Sequence, residues 1–404
     1  MKLLVFAHTP PPHHGQSYMV KLMLDGFGGD CRKVKKKPPG GFGIECYHVN
    51  ARFSKALEDI GEFQGGKIFL IIFYCLQAIW CRFRHGVEIL YYVPAPGKPV
   101  ALYRDWLVML FCRPFFKRVI LHWHAAGLAK WLETSAQIRT RALTYRLFKP
   151  VDFSIVLSRY NFADAEKLLS RYIRVVPVGI PDPCPDFAEK ILPLRRARIA
   201  ARKKILAGEI PADDPAKNVN VLFLAHCTRE KGVFDSISGV MLANEKMAVE
   251  KKPLRFRLTL IGAFASDAEE KELHEFIRRH DLDQTVGMLG FVSAERKARA
   301  LAGADIFCFP TFYLAENQPG NVIEAMAHGL PVVTTRWRSI PEMLPENYPG
   351  LVDTKSPEQI ADALVNLAGR DFSEPLREIF LRRFTLEQHL ASMAEAIHSV
   401  ENIS

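Results

Sequence analysis
Short apolar runs alternate with longer amphipathic stretches along most of the chain. KLLVFAH (2–8), IECYHVN (44–50), VEILYYV (87–93), KRVILHWH (117–124) and DFSIVL (152–157) read as strands, and RVVPVG (174–179) as one more. NVNVLFLA (218–225), RFRLTLIG (255–262), VGMLGFVS (286–293), DIFCFP (305–310) and LPVVTT (330–335) repeat that pattern in the second half. Between them lie segments of helical period, such as YMVKLMLDGF (18–27), PVALYRDWLVMLFCRPF (99–115), AEEKELHEFIRRH (268–280) and AERKARALAGA (294–304). Strands that alternate with helical stretches predict parallel, doubly wound sheets. Two such series predict an α/β chain with two Rossmann-like, doubly wound halves.

Residues 304–335, ADIFCFPTFYLAENQPGNVIEAMAHGLPVVTT, read as strand, loop, short helix, strand. Pro319 suits the helix entrance and Gly329 its exit. Glu316 stands before the helix and Glu324 within its first turns. The opening N–H groups at Gly320 and Asn321 favour an anion. The two carboxylates repel one, so they suit neutral hydroxyls on either side of it. Eight residues, part extended and part helical, span on the order of 12–20 Å. A second phosphate-type loop follows 218–225, where Arg229 and Lys231 precede Gly232 at a helix start. In the first half Gly15 and Gln16 mark the turn into the first helix. Near 122–124 a structural role is expected for His122, and His124 lies at the strand's carboxyl edge.

The chain has 404 residues, of which 49% are hydrophobic, enough for two cores of ordinary size. Its net charge of +10 favours anionic partners, with no nucleic-acid module to direct it to DNA or RNA. A basic Pro/Gly-rich stretch, CRKVKKKPPGGFG (31–43), reads as a solvated loop, with an anionic membrane surface or a phosphate-bearing acceptor as its alternative partner. Eight scattered cysteines form no metal-ligand spacing, which predicts reduced core thiols, no metal site and a cytoplasmic setting. The opening apolar run is too short for a signal peptide. IFLIIFYCLQAIWC (68–81) falls short of a spanning segment. It reads first as a buried helix, and second as a helix lying in the inner membrane surface.

The run from Glu316 to Glu324, followed by AMAHGLPVV, resembles the signature of retaining glycosyltransferases of the GT-B type, family 4. The usual Glu-Gly-x-Pro opening is Glu316-Asn317-Gln318-Pro319 here. The resemblance implies two domains facing a central cleft and transfer of a sugar, with retention and no metal, from a UDP- or GDP-sugar to a hydroxyl of a glycan, lipid-linked or small acceptor. It implies no cofactor beyond that substrate. It gives Glu316 the donor sugar and Glu324 the ribose. Lys231 and Gly232 match the family's Lys-Gly, while Arg229 is closer to the lysine than the family's arginine, whose place AHC fills. The same resemblance puts the base beside Phe291, the diphosphate beside Asn317, Pro319, Gly320 and Asn321, the acceptor-side loop at Gly15 and Gln16, and His124 near the reacting carbon. It implies domains at 1–190 and 218–375, a connection at 191–217, and a helical segment at 376–404 returning to the first domain. A sugar-nucleotide epimerase, a phosphorylase or a non-catalytic binding protein on the same scaffold are the alternatives.

Overall fold
The structure, a computed structural model, describes residues 1–11, 15–33, 42–52 and 66–402. Residues 34–41, the centre of the basic Pro/Gly-rich stretch, lie outside the described residues. The chain divides into two compact units, residues 1–179 with 386–404, and residues 180–385.

In the first unit six runs form an all-parallel sheet: β1 (Lys2–Phe6), β2 (Glu45–Val49), β3 (Ile89–Tyr92), β4 (Arg118–Trp123), β5 (Val151–Val156) and β6 (Ser170–Val175). Their order is β2-β1-β3-β4-β5-β6. Side chains alternate across a strand, so one run feeds two cores. Leu4 and Phe6 pack in one apolar cluster, and Leu3 and Val5 in the other. The second cluster is completed by Leu390, Met393 and Ile397 of the last helix, Leu386–Ser399. That helix comes so close to the helix Gly15–Gly26 that a Cβ on Gly26 would stand 2.4 Å from Leu390 Cδ1.

In the second unit the strands are β7 (Asn218–Leu224), β8 (Arg255–Ile261), β9 (Val286–Met288), β10 (Ile306–Phe309), β11 (Val332–Thr335) and β12 (Leu351–Val352). They too are parallel, in the order β12-β11-β10-β7-β8-β9. From β7 the chain winds outward through β8 and β9, then crosses back to lay β10 on the other side of β7. The crevice between β7 and β10 at their carboxyl ends is the topological switch point, where ligands bind in open α/β sheets. The expected α/β architecture with two doubly wound sheets is the one observed.

Three segments differ from expectation. The helix Leu192–Ala207 belongs to the second unit rather than to a connection, because two of its arginines are buried there. Arg202 Nη2 donates to Asp305 Oδ2 at 2.5 Å, both side chains being 2% exposed, and Arg195 Nη1 donates to the Gly329 carbonyl at 2.9 Å. The C-terminal segment is two helices that part at Thr385. Ser373–Arg383 stays in the second unit, where Arg377 pairs with Asp182, and only Leu386–Ser399 enters the first. The run 68–81 is helical, within Gly66–His85, but it is not buried all round: Ile71, Cys75, Ala78 and Cys81 face the core while Phe69 is 78% exposed. Its apolar residues circle the helix, and composition alone does not say which side the sheet covers. All eight cysteines are free thiols, seven of them buried.

Asp305 also accepts from the Asn220 N–H at 2.9 Å, and Arg198 approaches its other oxygen at 2.9 Å. Asp305→Ala would leave Arg202 buried without a counter-charge, and a stability loss of about 3–5 kcal/mol is expected. Denaturant unfolding of the variant measures it; a loss below about 1 kcal/mol would contradict the pairing.

Candidate active site
The loop after β7 is a tight turn. Thr228 Oγ1 accepts from the Lys231 N–H at 3.3 Å, residues 229–231 form one 3-10 turn, and Gly232 takes a left-handed φ of 83° before the helix Val233–Val249 begins. A Cβ on Gly232 would lie 2.4 Å from the Pro310 carbonyl oxygen. Glycine therefore lets the loop after β7 press against the loop after β10. Phe312 N–H donates to the Glu230 carbonyl at 2.8 Å, and Thr311 Oγ1 donates to the same carbonyl at 3.3 Å, which locks the two loops.

At this junction Lys231 Nζ donates to Glu316 Oε2 at 2.5 Å. The lysine side chain is 19% exposed and the glutamate 11%. The ammonium also lies 4.4 Å from the centre of the Tyr313 ring. Burial, then Glu230 and Glu316, raises the Tyr313 phenol above its ordinary pKa, so it stays protonated at neutral pH.

Pro319, in extended conformation, leads into the helix Gly320–Ala327. Asn321 Nδ2 donates to the Leu224 carbonyl at the end of β7, at 2.8 Å, and its Oδ1 accepts from the Val322 N–H at 2.8 Å. The helix start is thereby pinned to the switch point. Helix geometry leaves the Gly320 and Asn321 N–H groups without partners inside the helix. Two turns of chemistry meet on this short helix: Glu324 Oε1 accepts from Lys297 Nζ at 2.6 Å, and the Glu324 carbonyl accepts from the His328 ring at 2.8 Å. Burial, the largest cause, lowers the pKa of His328.

Asn317 and Gln318 are buried. Ser339 Oγ meets both the carbonyl and the side-chain Oδ1 of Asn317 at 2.6 Å. The amide that stands where a glycine was expected is thus held from within the unit. Arg229 is not brought to the Lys231–Glu316 pair. Its guanidinium pairs with Glu272 at 2.5 Å and lies 4.1 Å from the Phe234 ring centre, on the side of the helix Asp267–Arg279.

Beside these groups, at the carboxyl ends of β8 and β9, is a cavity of about 370 Å³ lined by Cys227, Gly262, Phe264, His274, Met288 and Phe291. Phe291 is 88% exposed. Burial pushes the Cys227 thiol up to about 11, so it is a neutral lining group and not a nucleophile. Among the described residues no group of three or more His, Cys, Asp or Glu could hold a metal ion.

In the first unit Gly15 opens the helix Gly15–Gly26, and Gln16 lines a water-sized cavity of about 10 Å³ with His8 and Arg104 at the β1/β3 switch point. His122 is buried, with Nδ1 2.5 Å from the Tyr91 hydroxyl. Burial holds it well below the ordinary imidazole range, as a structural histidine requires. His124 follows β4, half-buried, with ring centres 4.1 Å from His122.

Sequence reasoning missed Lys297, Thr311 and the cavity residues other than Phe291. Lys297 sits in a charged amphipathic helix whose pattern marks no member as special. His274 and Cys227 are far apart in sequence and meet only when β7, β8 and their helices are assembled.

Residues 219–370 match the family model described as Glycosyl transferases group 1. The amylovoran biosynthesis glycosyltransferase AmsK of Erwinia amylovora is 31% identical over 150 residues, 36% of this chain and 34% of AmsK. The matched stretches cover 34–39% of the length of AmsK and another curated relative, well under two thirds. Among solved structures, the sucrose-phosphate synthase of Thermosynechococcus elongatus superposes with a TM-score of 0.66 at 17% identity, each chain covered in full. Anabaena HepE in complex with UDP gives 0.64 at 16%, with 99% of this chain and 100% of HepE covered. At such identities the likeness is one of fold, the GT-B architecture.

Gly232→Ala is expected to cost at least about 1–2 kcal/mol from the left-handed backbone alone, before the clash with Pro310. Thermal or denaturant unfolding reads the loss, and an unchanged midpoint would show that the two loops are not held as described.

Proposed function
We propose that this chain, whose residues 219–370 match the glycosyl transferases group 1 family model, moves a sugar from a nucleoside-diphosphate sugar to a hydroxyl acceptor, with retention and without a metal. The observation that carries the reading is the pair of ion pairs, Lys231–Glu316 and Glu324–Lys297, set around the start of one helix at the β7/β10 switch point. Each carboxylate is matched by a flexible cation. An arriving diphosphate offers Lys231 a better partner, and Glu316, released from it, is left to accept from a sugar hydroxyl. Glu324 serves the ribose hydroxyls in the same way.

The bond from the anomeric carbon to the diphosphate breaks, the acceptor oxygen takes its place, and the acceptor proton leaves with the diphosphate. Negative charge grows on the leaving group. Lys231 and the N–H groups of Gly320 and Asn321 are fixed donors for that charge, which is electrostatic preorganisation. The cavity at Phe291 takes the base, UDP or GDP being the donors tested first. Asn317 and Pro319 act by shaping the helix entrance. Arg229, committed to Glu272, shapes the loop that carries Lys231 rather than holding phosphate. His124 is retained as the contact to a sugar hydroxyl, and the Gly15–Gln16 loop as the acceptor side. The acceptor class, a glycan or lipid-linked sugar, draws its support from the polysaccharide pathway named for AmsK.

Thermal shift with UDP, GDP and ADP should pick out one base, because a ligand that binds only the native form raises the melting temperature. Lys231→Ala should lower kcat/KM by about 10²–10³-fold, the size of a lost preorganised donor. Glu324→Ala should abolish most of the nucleotide-dependent shift while leaving the ligand-free midpoint nearly unchanged. Retained transfer and nucleotide affinity in both variants would overturn the assignment. Activity should survive chelation; loss restored by Mn²⁺ would contradict the metal-free mechanism.

A further inference from the structure
The helix Gly66–His85 has two apolar faces, and the sheet covers one of them. The other carries Phe69, Phe73, Leu76, Trp80 and Phe83, each at least half exposed. At about 100° per residue these five fall within an arc of about 80°, opposite Ile71, Cys75 and Ala78, and they run about 21 Å along the axis. Phe115 extends the stripe, its ring meeting that of Phe83 edge-on at 6.0 Å. By length and hydropathy residues 68–85 would pass for a spanning helix, yet only 22% of that window is buried in the fold. Spanning would strip Cys75, Ala78 and Cys81 from the core of the unit. An exposed apolar face of this size marks an interaction surface, and its aromatic residues suit a lipid interface.

Charge selects the lipid. The helices Gly66–His85, Pro99–Cys112 and Ile138–Phe148 pack in one layer over the same apolar cluster, and among them the sole carboxylate, Asp105, is fully buried. Arg84, Arg139 and Arg146 are exposed on that layer. The helices Leu128–Thr134 and Phe162–Lys167 pack on the same cluster and bring the exposed Glu166 and Glu133, the latter paired with Lys167. The three helices that carry and flank the stripe have exposed arginines and no exposed acid of their own, so their side of the layer repels a second copy of itself and attracts an anionic surface. We propose that the first unit docks on an anionic lipid bilayer through this stripe, with the arginines at the headgroups. The inference rests on the first unit alone and stands apart from the transfer reaction.

The full chain is sedimented with vesicles of phosphatidylcholine containing about 30 mol% phosphatidylglycerol, and with phosphatidylcholine alone. Binding to the anionic vesicles is expected to be at least about tenfold stronger, and weakened by about 1 M salt. Phe69→Ser/Phe83→Ser should reduce binding about tenfold or more. Arg84→Glu/Arg139→Glu, at exposed positions that no core contact needs, should weaken the anionic arm alone and carries the test if the serine variant unfolds. Nucleotide thermal shifts should be the same in all of them, so the docking and the transferase reading fail on separate measurements. The proposal is overturned by parent protein that stays in the supernatant, by variants that bind like the parent, or by a dimer in ultracentrifugation that Phe69→Ser/Phe83→Ser dissolves.

Discussion

Lys231 and Glu316 are 85 residues apart in sequence and 2.5 Å apart in space. They meet because β10 returns across the sheet to lie against β7, which brings the loop after each strand to one crevice. Everything else at the candidate site follows from that return. Gly232 allows the loops to touch at Pro310, Asn321 ties the helix start to the last carbonyl of β7, and Glu324 is carried on the same helix. A chain that kept all these residues but placed β10 at the outer edge would have the motif and no site.

The site is balanced in the state described. Each acid already has a cation, so no carboxylate is stranded without charge compensation in a partly buried place, where that would be expensive. The same balance sets what an exchange must supply: a diphosphate can replace the carboxylate on Lys231, and the Glu316 carboxylate it releases must then be met by a sugar hydroxyl. Arg229 is paired too, with Glu272 and beside the Phe234 ring, but at the exposed surface rather than at the crevice.

The first unit depends on the far end of the chain. Its second core is closed by Leu390, Met393 and Ile397, which arrive only after the whole of the second unit has been traversed. Its remaining helical layer is open to solvent on the outside, with aromatic residues and arginines where acidic and polar ones would be usual. These two features are independent. One concerns how the unit is stabilised, the other what the unit can rest upon.

The alternation of apolar runs and helical stretches, the helix boundaries around Pro319 and Gly329, and the placing of Lys231 and Glu316 in loops at helix starts were legible in the sequence. They are local: strand and helix periods, cap chemistry and motif spacing are written within a few residues of each other. What only the folded chain decided is non-local. It paired Lys297 with Glu324, turned Arg229 toward Glu272, buried Asn317 against Ser339, drew Leu192–Ala207 into the second unit and parted the last two helices at Thr385. It also chose which face of Gly66–His85 the sheet would cover, since a helix apolar all round carries no period to say so. Contacts between distant segments depend on strand order, and strand order is not encoded in any single stretch.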